Sequence, residues 1–131
     1  MGTKYKCYAF LYRGRNKEVN DLNLPYVKAG YANGYVAIPP EHPLFGKSYD
    51  EAMEAGIETH GGLTFKEKSD VLIKAWNDDN LILLDNELPA GYYVFGFDTM
   101  HYNDSLETCS REYVVNVVTK LKHDLENFEG I

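Results

Sequence analysis

The chain has 131 residues, of which 44% are hydrophobic and 14% aromatic, and its formal net charge at pH 7 is −7. This composition excludes a disordered chain, and the length fits one domain spanning residues 1–131. The basic residues are scattered, which argues against direct nucleic-acid binding, and no apolar run approaches the roughly 20 residues of a membrane span.

The first third of the chain predicts three strands. Residues 4–13 alternate in a way that places the odd-numbered side chains on one face of a strand. Residues 14–25 are polar and end at a proline, which predicts a loop. Asn33-Gly34 lies between two extended runs and is typical of a type I′ turn, so a hairpin is expected there.

The middle of the chain predicts one short helix and another strand. Ser48 and Glu51 have the spacing of a capping box that opens a helix, and Gly56 is placed to close it. Residues 57–65 return to a strand-like pattern, and residues 66–70 form a charged segment expected to be a turn.

The last half predicts three strands and a long helix. Residues 71–76, 81–84 and 92–98 are apolar strand candidates, the third with its aromatic odd-numbered positions facing a helix. From 105 to 128 the apolar residues recur at helical steps, and the helix start is capped by Asp104 with Glu107, or by Ser110. The predicted fold is therefore α+β, a mostly antiparallel sheet with a short helix and a long C-terminal helix packed on it.

Two segments carry side chains suited to chemistry. Asp98, His101 and Asp104 follow a predicted strand within seven residues, and His60 precedes a pair of glycines in another. If the two strands are neighbours, His60, His101 and Asp98 converge on one rim, where they could act in acid–base catalysis or bind a metal. Alternatively, the two carboxylates only cap turns.

The Gly61-Gly62 pair has two interpretations. Its backbone N–H groups could form a small anion-binding nest for a phosphate, or the pair could mark a bulge in a strand. The spacing of the acidic residues and histidines matches no strong metal signature, so the metal and any cofactor stay open. Cys7 and Cys109 match no nucleophile or metal motif; they could form one disulfide, but reduced thiols are the expectation.

Three sequence segments and the closing helix together resemble a widespread family of small proteins encoded by tailed bacteriophages and prophages. The segments are GYVAIPPEHPLFGKSYDE at 34–51, THGGLTF at 59–65 and YVFGFDTMHYND at 93–104. The chain departs from the family where Tyr93 and Val94 replace aromatic residues, often tryptophan, before the GFD segment.

The resemblance implies a phage accessory protein made in the cytoplasm of the host bacterium and directed against host defence. It adds His42, Lys47 and Tyr49 of the 39–49 loop to the expected site. Lys47 would contact a phosphate, Tyr49 or Tyr102 would stack on a base, and Asp104 would complete the ligand contacts.

The leading hypothesis is therefore a protein that binds, and sequesters or cleaves, a small phosphorylated ligand such as a nucleotide immune messenger. One alternative is an inhibitor that binds a host defence protein, such as a CRISPR effector, through its surface. Another is a metal-dependent hydrolase, and a homo-oligomer is compatible with all three. Convergence of His42, His60, Asp98 and His101 in one cleft would favour ligand chemistry.

Overall fold

A computed structural model describes residues 4–129 and has the predicted α+β fold. Five strands and four helices follow one another within these residues. In chain order they are β1 (Tyr8–Tyr12), α1 (Gly14–Asp21), β2 (Asn33–Ile38), α2 (Tyr49–Glu54), β3 (Phe65–Lys68), α3 (Ser69–Ala75), β4 (Leu81–Leu83), β5 (Tyr93–Phe97) and α4 (Arg111–Glu126).

The five strands form one sheet in the order β3-β5-β2-β1-β4, and every neighbouring pair is antiparallel. β2 is central, and its Val36 lies opposite Ala9 of β1 and Phe95 of β5. β3 is the edge strand beside β5, with Phe65 opposite Gly96. This pairing brings the segment before β3 to the same side of the sheet as the segment after β5.

Helix α4 covers one face of the sheet through the apolar stripe that the sequence predicts. Its N-cap is Ser110, whose side chain accepts a hydrogen bond from the Tyr113 N–H, so the second of the two predicted caps is confirmed. The fully buried positions of the apolar stripe of α4 are Val114, Val118, Leu121 and Leu125.

No helix within residues 4–129 is both long and apolar enough to cross a bilayer.

Residues 71–76 are not a strand, because residues 71–75 belong to helix α3 on the opposite face of the sheet and Trp76 is its C-cap. Leu72 is buried against the sheet, and Trp76, four residues later, stacks on Tyr12 with ring centroids 4.3 Å apart. Val71 and Ile73 point outward and are 45% and 38% exposed. A short apolar run does not distinguish a strand from one helical face, and here tertiary packing selects the helix.

The hairpin predicted at Asn33-Gly34 is wrong, since both residues begin the central strand β2. The Asn33 side chain accepts a hydrogen bond from the backbone N–H of Thr99, just after β5. Gly34 lies under the ring of Phe97, where an added Cβ would approach a ring carbon to 2.5 Å. Asn33 therefore supplies a hydrogen bond and Gly34 leaves room for the Phe97 ring, and the pair does not form a turn.

The predicted loop at 14–25 is also wrong over its first part, which forms α1. This helix is polar and shows no apolar periodicity, and it is held by asparagine side chains instead. Asn16 is buried and donates to the Gly30 carbonyl and the Thr99 hydroxyl, and Asn20 bonds the backbone of Ala29.

The short helix α2 is confirmed with its capping box, Ser48 and Glu51 bonding each other's backbone N–H groups. The strand predicted at 57–65 is displaced, because regular pairing covers 65–68 and a turn spans 59–62. The charged segment 66–70 is consequently strand and helix start rather than a turn.

Candidate functional site

The loops that carry His60 and His101 meet at one edge of the sheet. His60 lies in the turn that precedes β3, and His101 lies in the segment that follows β5. Because β3 and β5 are antiparallel neighbours, both segments leave the sheet at the same end. The two imidazole rings have centroids 5.4 Å apart, which confirms the expected proximity of the two histidines.

Asp104 is the shared partner of both imidazoles. Its Oδ1 lies 3.0 Å from Nε2 of His60, and its Oδ2 lies 2.9 Å from Nδ1 of His101. Oδ2 also accepts the backbone N–H of His101 at 2.9 Å. Burial by itself would raise the pKa of this carboxyl, but hydrogen bonds from His101, His60 and Cys109 outweigh it and hold the pKa below the ordinary value.

The hydrogen bonds of His60 determine its tautomer. A carboxylate only accepts, so Nε2 carries the proton that faces Asp104. In the neutral imidazole, Nδ1 is then the acceptor for the Tyr113 hydroxyl, which lies 2.7 Å away at the start of α4. The result is a directed chain of hydrogen bonds from Tyr113 through His60 to Asp104.

Asp98 faces the second nitrogen of His101. Its Oδ1 lies 3.4 Å from His101 Nε2, and the same oxygen accepts the backbone N–H of Met100 at 3.1 Å. The Thr64 hydroxyl donates to Oδ2 at 3.1 Å. Asp98 therefore caps a turn, as the alternative interpretation expects, and lies beside Nε2 of His101.

The Gly61-Gly62 pair is neither a strand bulge nor an open nest. The Gly62 N–H donates to the Thr59 carbonyl at 3.0 Å and closes a β-turn, so it is committed inside the protein. Gly61 has a φ of +67°, and an added Cβ would lie 2.5 Å from Cε1 of His101. The glycine thus allows the His101 ring to pack directly on the turn that carries His60.

Cys109 and Tyr113 belong to this cluster, although no sequence motif points to them. The Cys109 thiol is buried, donates to Oδ1 of Asp104 at 3.4 Å and lies 3.8 Å from Nε2 of His60. Burial, then the hydrogen bond to Asp104 and its charge, raise the pKa of Cys109 to about 11. The thiol is therefore protonated at neutral pH and is a poor nucleophile.

An open cleft of about 840 Å³ lies beside the cluster. Met100, His101, Tyr102, Asn103, Asp104 and Ser105 line one side. Arg15 and Val19 of α1 and residues 25–28 line the other. Arg15, Tyr26 and Lys28 were not predicted from the sequence, because only the tertiary contact of α1 with the segment after β5 brings them there.

His42 lies far from the cluster. Its Nδ1 accepts the Leu44 N–H at 3.0 Å, so its Nε2 carries a proton and donates to the Leu125 carbonyl at 2.8 Å. Leu125 and Tyr113, the contacts of the two histidines on α4, are 12 residues apart, about 18 Å along a helix. Both nitrogens of His42 are thus used in the core, and His42 does not converge with His60.

Lys47 and Tyr49 also lie away from His101. The Lys47 carbonyl accepts the hydroxyl of Tyr93 at 3.0 Å, and Tyr93 begins β5 whereas Asp98 follows its end, about 17 Å along a strand. The Lys47 ammonium lies 4.0 Å from Glu51 in the first turn of α2. Tyr49 packs on the core beneath α4.

Comparison with protein-family models, with curated proteins and with solved structures finds no match to this chain. The chemistry of the site is therefore inferred from its own residues. His60, Gly61, Asp98, His101 and Asp104 are brought together, with Tyr102 on the adjoining cleft and Gly62 in the turn beneath.

Proposed function

We propose that this chain binds a small phosphorylated ligand of the nucleotide class in the cleft beside His101. The observation that carries the proposal is the pair of cations on the cleft wall, Arg15 and Lys28. Neither takes part in an ion pair within residues 4–129. In a chain of net charge −7, two cations without carboxylate partners at one concave site favour an anionic ligand.

The residues that line the cleft supply both charge and aromatic surface for such recognition. The Arg15 guanidinium can hold two phosphate oxygens at once, and Lys28 adds a second positive charge. Tyr26 and Tyr102 are 97% and 95% exposed, so their rings are free to stack on a base.

We assign the contact with the scissile or bound phosphate to His101. Asp104 bonds Nδ1 of this ring and holds its orientation, whereas Nε2 lies 3.4 Å from Asp98 with no hydrogen bond to it, so Nε2 is the nitrogen that we assign to the phosphate. Binding alone would sequester the ligand, and His101 is the residue we assign to proton transfer if the ligand is also cleaved.

The biological part of the proposal follows from the resemblance to phage proteins. A phage accessory protein in the cytoplasm of an infected bacterium would meet nucleotide messengers of host immunity. A binder of those messengers would remove the signal before the host effector responds. We therefore propose a counter-defence role for the cleft.

Thermal-shift and calorimetric titrations with inorganic phosphate, ADP-ribose and a cyclic dinucleotide test the ligand. At least one nucleotide should raise the melting temperature of the wild-type protein, because a ligand of the folded state stabilises it. Arg15→Ala should weaken that binding about 10- to 100-fold, the value of one or two charged hydrogen bonds. Lys17→Ala is the matched control, since Lys17 lies on the same helix, outside the cleft, paired with Asp21.

Equal affinity of Arg15→Ala and Lys17→Ala for the nucleotide would contradict the proposed cleft. Absence of any shift with all three phosphate probes would contradict the ligand class itself. Phosphate binding alone, without preference for a nucleotide, would remove Tyr26 and Tyr102 from the proposal.

A protein partner is the second candidate, favoured by the apolar surface around the same cleft. Large apolar side chains are exposed on the two segments that contribute lining residues to the cleft: Leu22, Leu24, Tyr26, Val27, Met100, Tyr102 and Leu106. Such a patch is typical of an interaction surface. The proposed partner is a host defence protein such as a CRISPR effector, and Leu24→Ser with Leu106→Ser should then abolish inhibition of that effector while leaving nucleotide binding intact.

A further inference from the structure

We propose that His60, Asp104 and Cys109 form a binding site for a transition-metal ion of the Zn²⁺ type. One ligand atom from each residue, an imidazole nitrogen, a carboxylate oxygen and a sulfur, lies within 4.8 Å of the other two. The three residues come from two separate segments, the turn before β3 and the segment between β5 and α4. The proposal concerns the cluster itself and stands independently of a phosphorylated ligand in the cleft.

The spacing of the three ligand atoms fits tetrahedral coordination. Zn²⁺ bonds of about 2.0 Å to nitrogen or oxygen and 2.3 Å to sulfur place tetrahedral ligands about 3.3–3.6 Å apart. The corresponding distances are 3.0 Å from His60 Nε2 to Asp104 Oδ1, 3.4 Å from Asp104 Oδ1 to Cys109 Sγ, and 3.8 Å from Cys109 Sγ to His60 Nε2. Shifts of about 0.3 Å would satisfy all three bonds.

Outer partners hold two of the three ligands in place. The Tyr113 hydroxyl contacts Nδ1 of His60, and its oxygen can accept a hydrogen bond from the Nδ1–H group once Nε2 binds the metal. The backbone and ring N–H groups of His101 occupy Oδ2 of Asp104, which leaves Oδ1 for the ion. Contacts of this kind orient metal ligands and increase their affinity.

The ligand types select the ion. A thiolate and an imidazole favour Zn²⁺ or a similar transition metal over Mg²⁺ and Ca²⁺, which prefer oxygen. Without metal the Cys109 S–H donates to Asp104, and metal binding would release that proton. Three protein ligands leave a fourth position open for water or for a ligand oxygen from the cleft that Asp104 also lines.

Titration of the chelator-treated full chain with Co²⁺ tests the site, because Co²⁺ reports thiolate coordination by a charge-transfer band. Wild type should bind one Co²⁺ with this band, and Zn²⁺ should displace it. Cys109→Ser should lose the band and bind Zn²⁺ at least about 10-fold more weakly. Cys7→Ser is the matched control, since Cys7 is the other buried free thiol and lies outside the cluster.

Tyr113→Phe removes the outer partner of His60 at a position that is 37% exposed, so it should preserve folding even if Cys109→Ser does not. It should lower Zn²⁺ affinity about 10- to 100-fold and keep the Co²⁺ thiolate band. Failure of wild type to bind Co²⁺, retention of the band in Cys109→Ser, or its loss in Cys7→Ser would overturn the proposal. Unchanged Zn²⁺ affinity in Tyr113→Phe would do the same.

Discussion

Asp104 connects two histidines that are far apart in sequence. His60 and Asp104 are separated by 44 positions, whereas His101 and Asp104 are three apart and share a local turn. The carboxylate is only 8% exposed, so its charge is stabilised by donors from inside the protein rather than by water. Removing Asp104 would leave both imidazoles and the Cys109 thiol without their common acceptor.

Gly61→Ala should destabilise the protein more than Gly62→Ala. Both positions have positive φ angles, +67° and +85°, so both substitutions carry a backbone cost of about 1–2 kcal/mol. Only at Gly61 does the new Cβ meet the His101 ring at 2.5 Å, whereas at Gly62 the nearest atom is the flexible Met53 sulfur at 3.2 Å. Urea unfolding of the two variants measures the difference.

The ring signals of His101 in NMR spectra should also shift in Gly61→Ala and stay near wild type in Gly62→Ala. Equal unfolding free energies for the two variants would show that His101 moves aside without cost. The packing of the ring on the turn would then contribute nothing to its orientation.

Helix α4 is the element that joins the two ends of the protein. Its first turn provides Tyr113 to His60, and its last turn provides the Leu125 carbonyl to His42. Between these ends its apolar stripe packs on β1 and β2. Displacement of this helix would therefore disturb both histidine environments together.

Leu121→Ala should lower the free energy of unfolding by about 2–5 kcal/mol, because Leu121 is fully buried at the centre of the stripe. Thr119→Ala, at an exposed position of the same helix, should change it by less than about 0.5 kcal/mol. Chemical denaturation of both variants provides the comparison. A negligible loss for Leu121→Ala would mean that the stripe does not form the core contact described here.

At the scale of the whole molecule, the two ends of the sheet use histidine in different ways. At one end His60 and His101 lie against carboxylates beside an open cleft. At the other end His42 is 3% exposed between the rings of Tyr5 and Phe128, with both nitrogens bonded to backbone groups. The second arrangement contributes to stability rather than to binding.

Acidification should therefore destabilise the fold partly through His42. Burial lowers the pKa of His42 from its ordinary value of 6.5, against smaller raising effects of the Leu125 carbonyl and Glu41. Below pH 6.5 the folded state then binds fewer protons than the unfolded state. The stability that the fold gains from neutral His42 is therefore fully present above pH 6.5 and is lost as the pH falls below that value. The loss is at most about 1.4 kcal/mol per pH unit.

Unfolding free energies of wild type and His42→Gln between pH 7.5 and about pH 5 test this effect. The wild type should lose more stability than the variant over that interval, because only it carries the group whose protonation is penalised in the folded state. Parallel pH profiles for the two proteins would assign the acid sensitivity to other groups.

Local patterns were sufficient for the features that depend on residues near in sequence. The capping box of Ser48 and Glu51, the stripe of α4 and the alternation of β5 each follow from steps of two to four residues. The proximity of His60 and His101 was expected on the condition that the strands beside them are neighbours, and the pairing of β3 with β5 supplies that condition.

Only the tertiary structure decided the features that depend on distant contacts. α1 is held by the side chains of Asn16 and Asn20, and α3 by packing of Leu72 among aromatic rings, so neither has the periodicity that indicates a helix. The contacts of Cys109 with His60, and of Arg15 and Lys28 with the cleft, join segments separated by dozens of residues. His42 resembles the other histidines in sequence, but the antiparallel sheet places it at the far end of α4, because strand direction rather than residue type determines which loops meet.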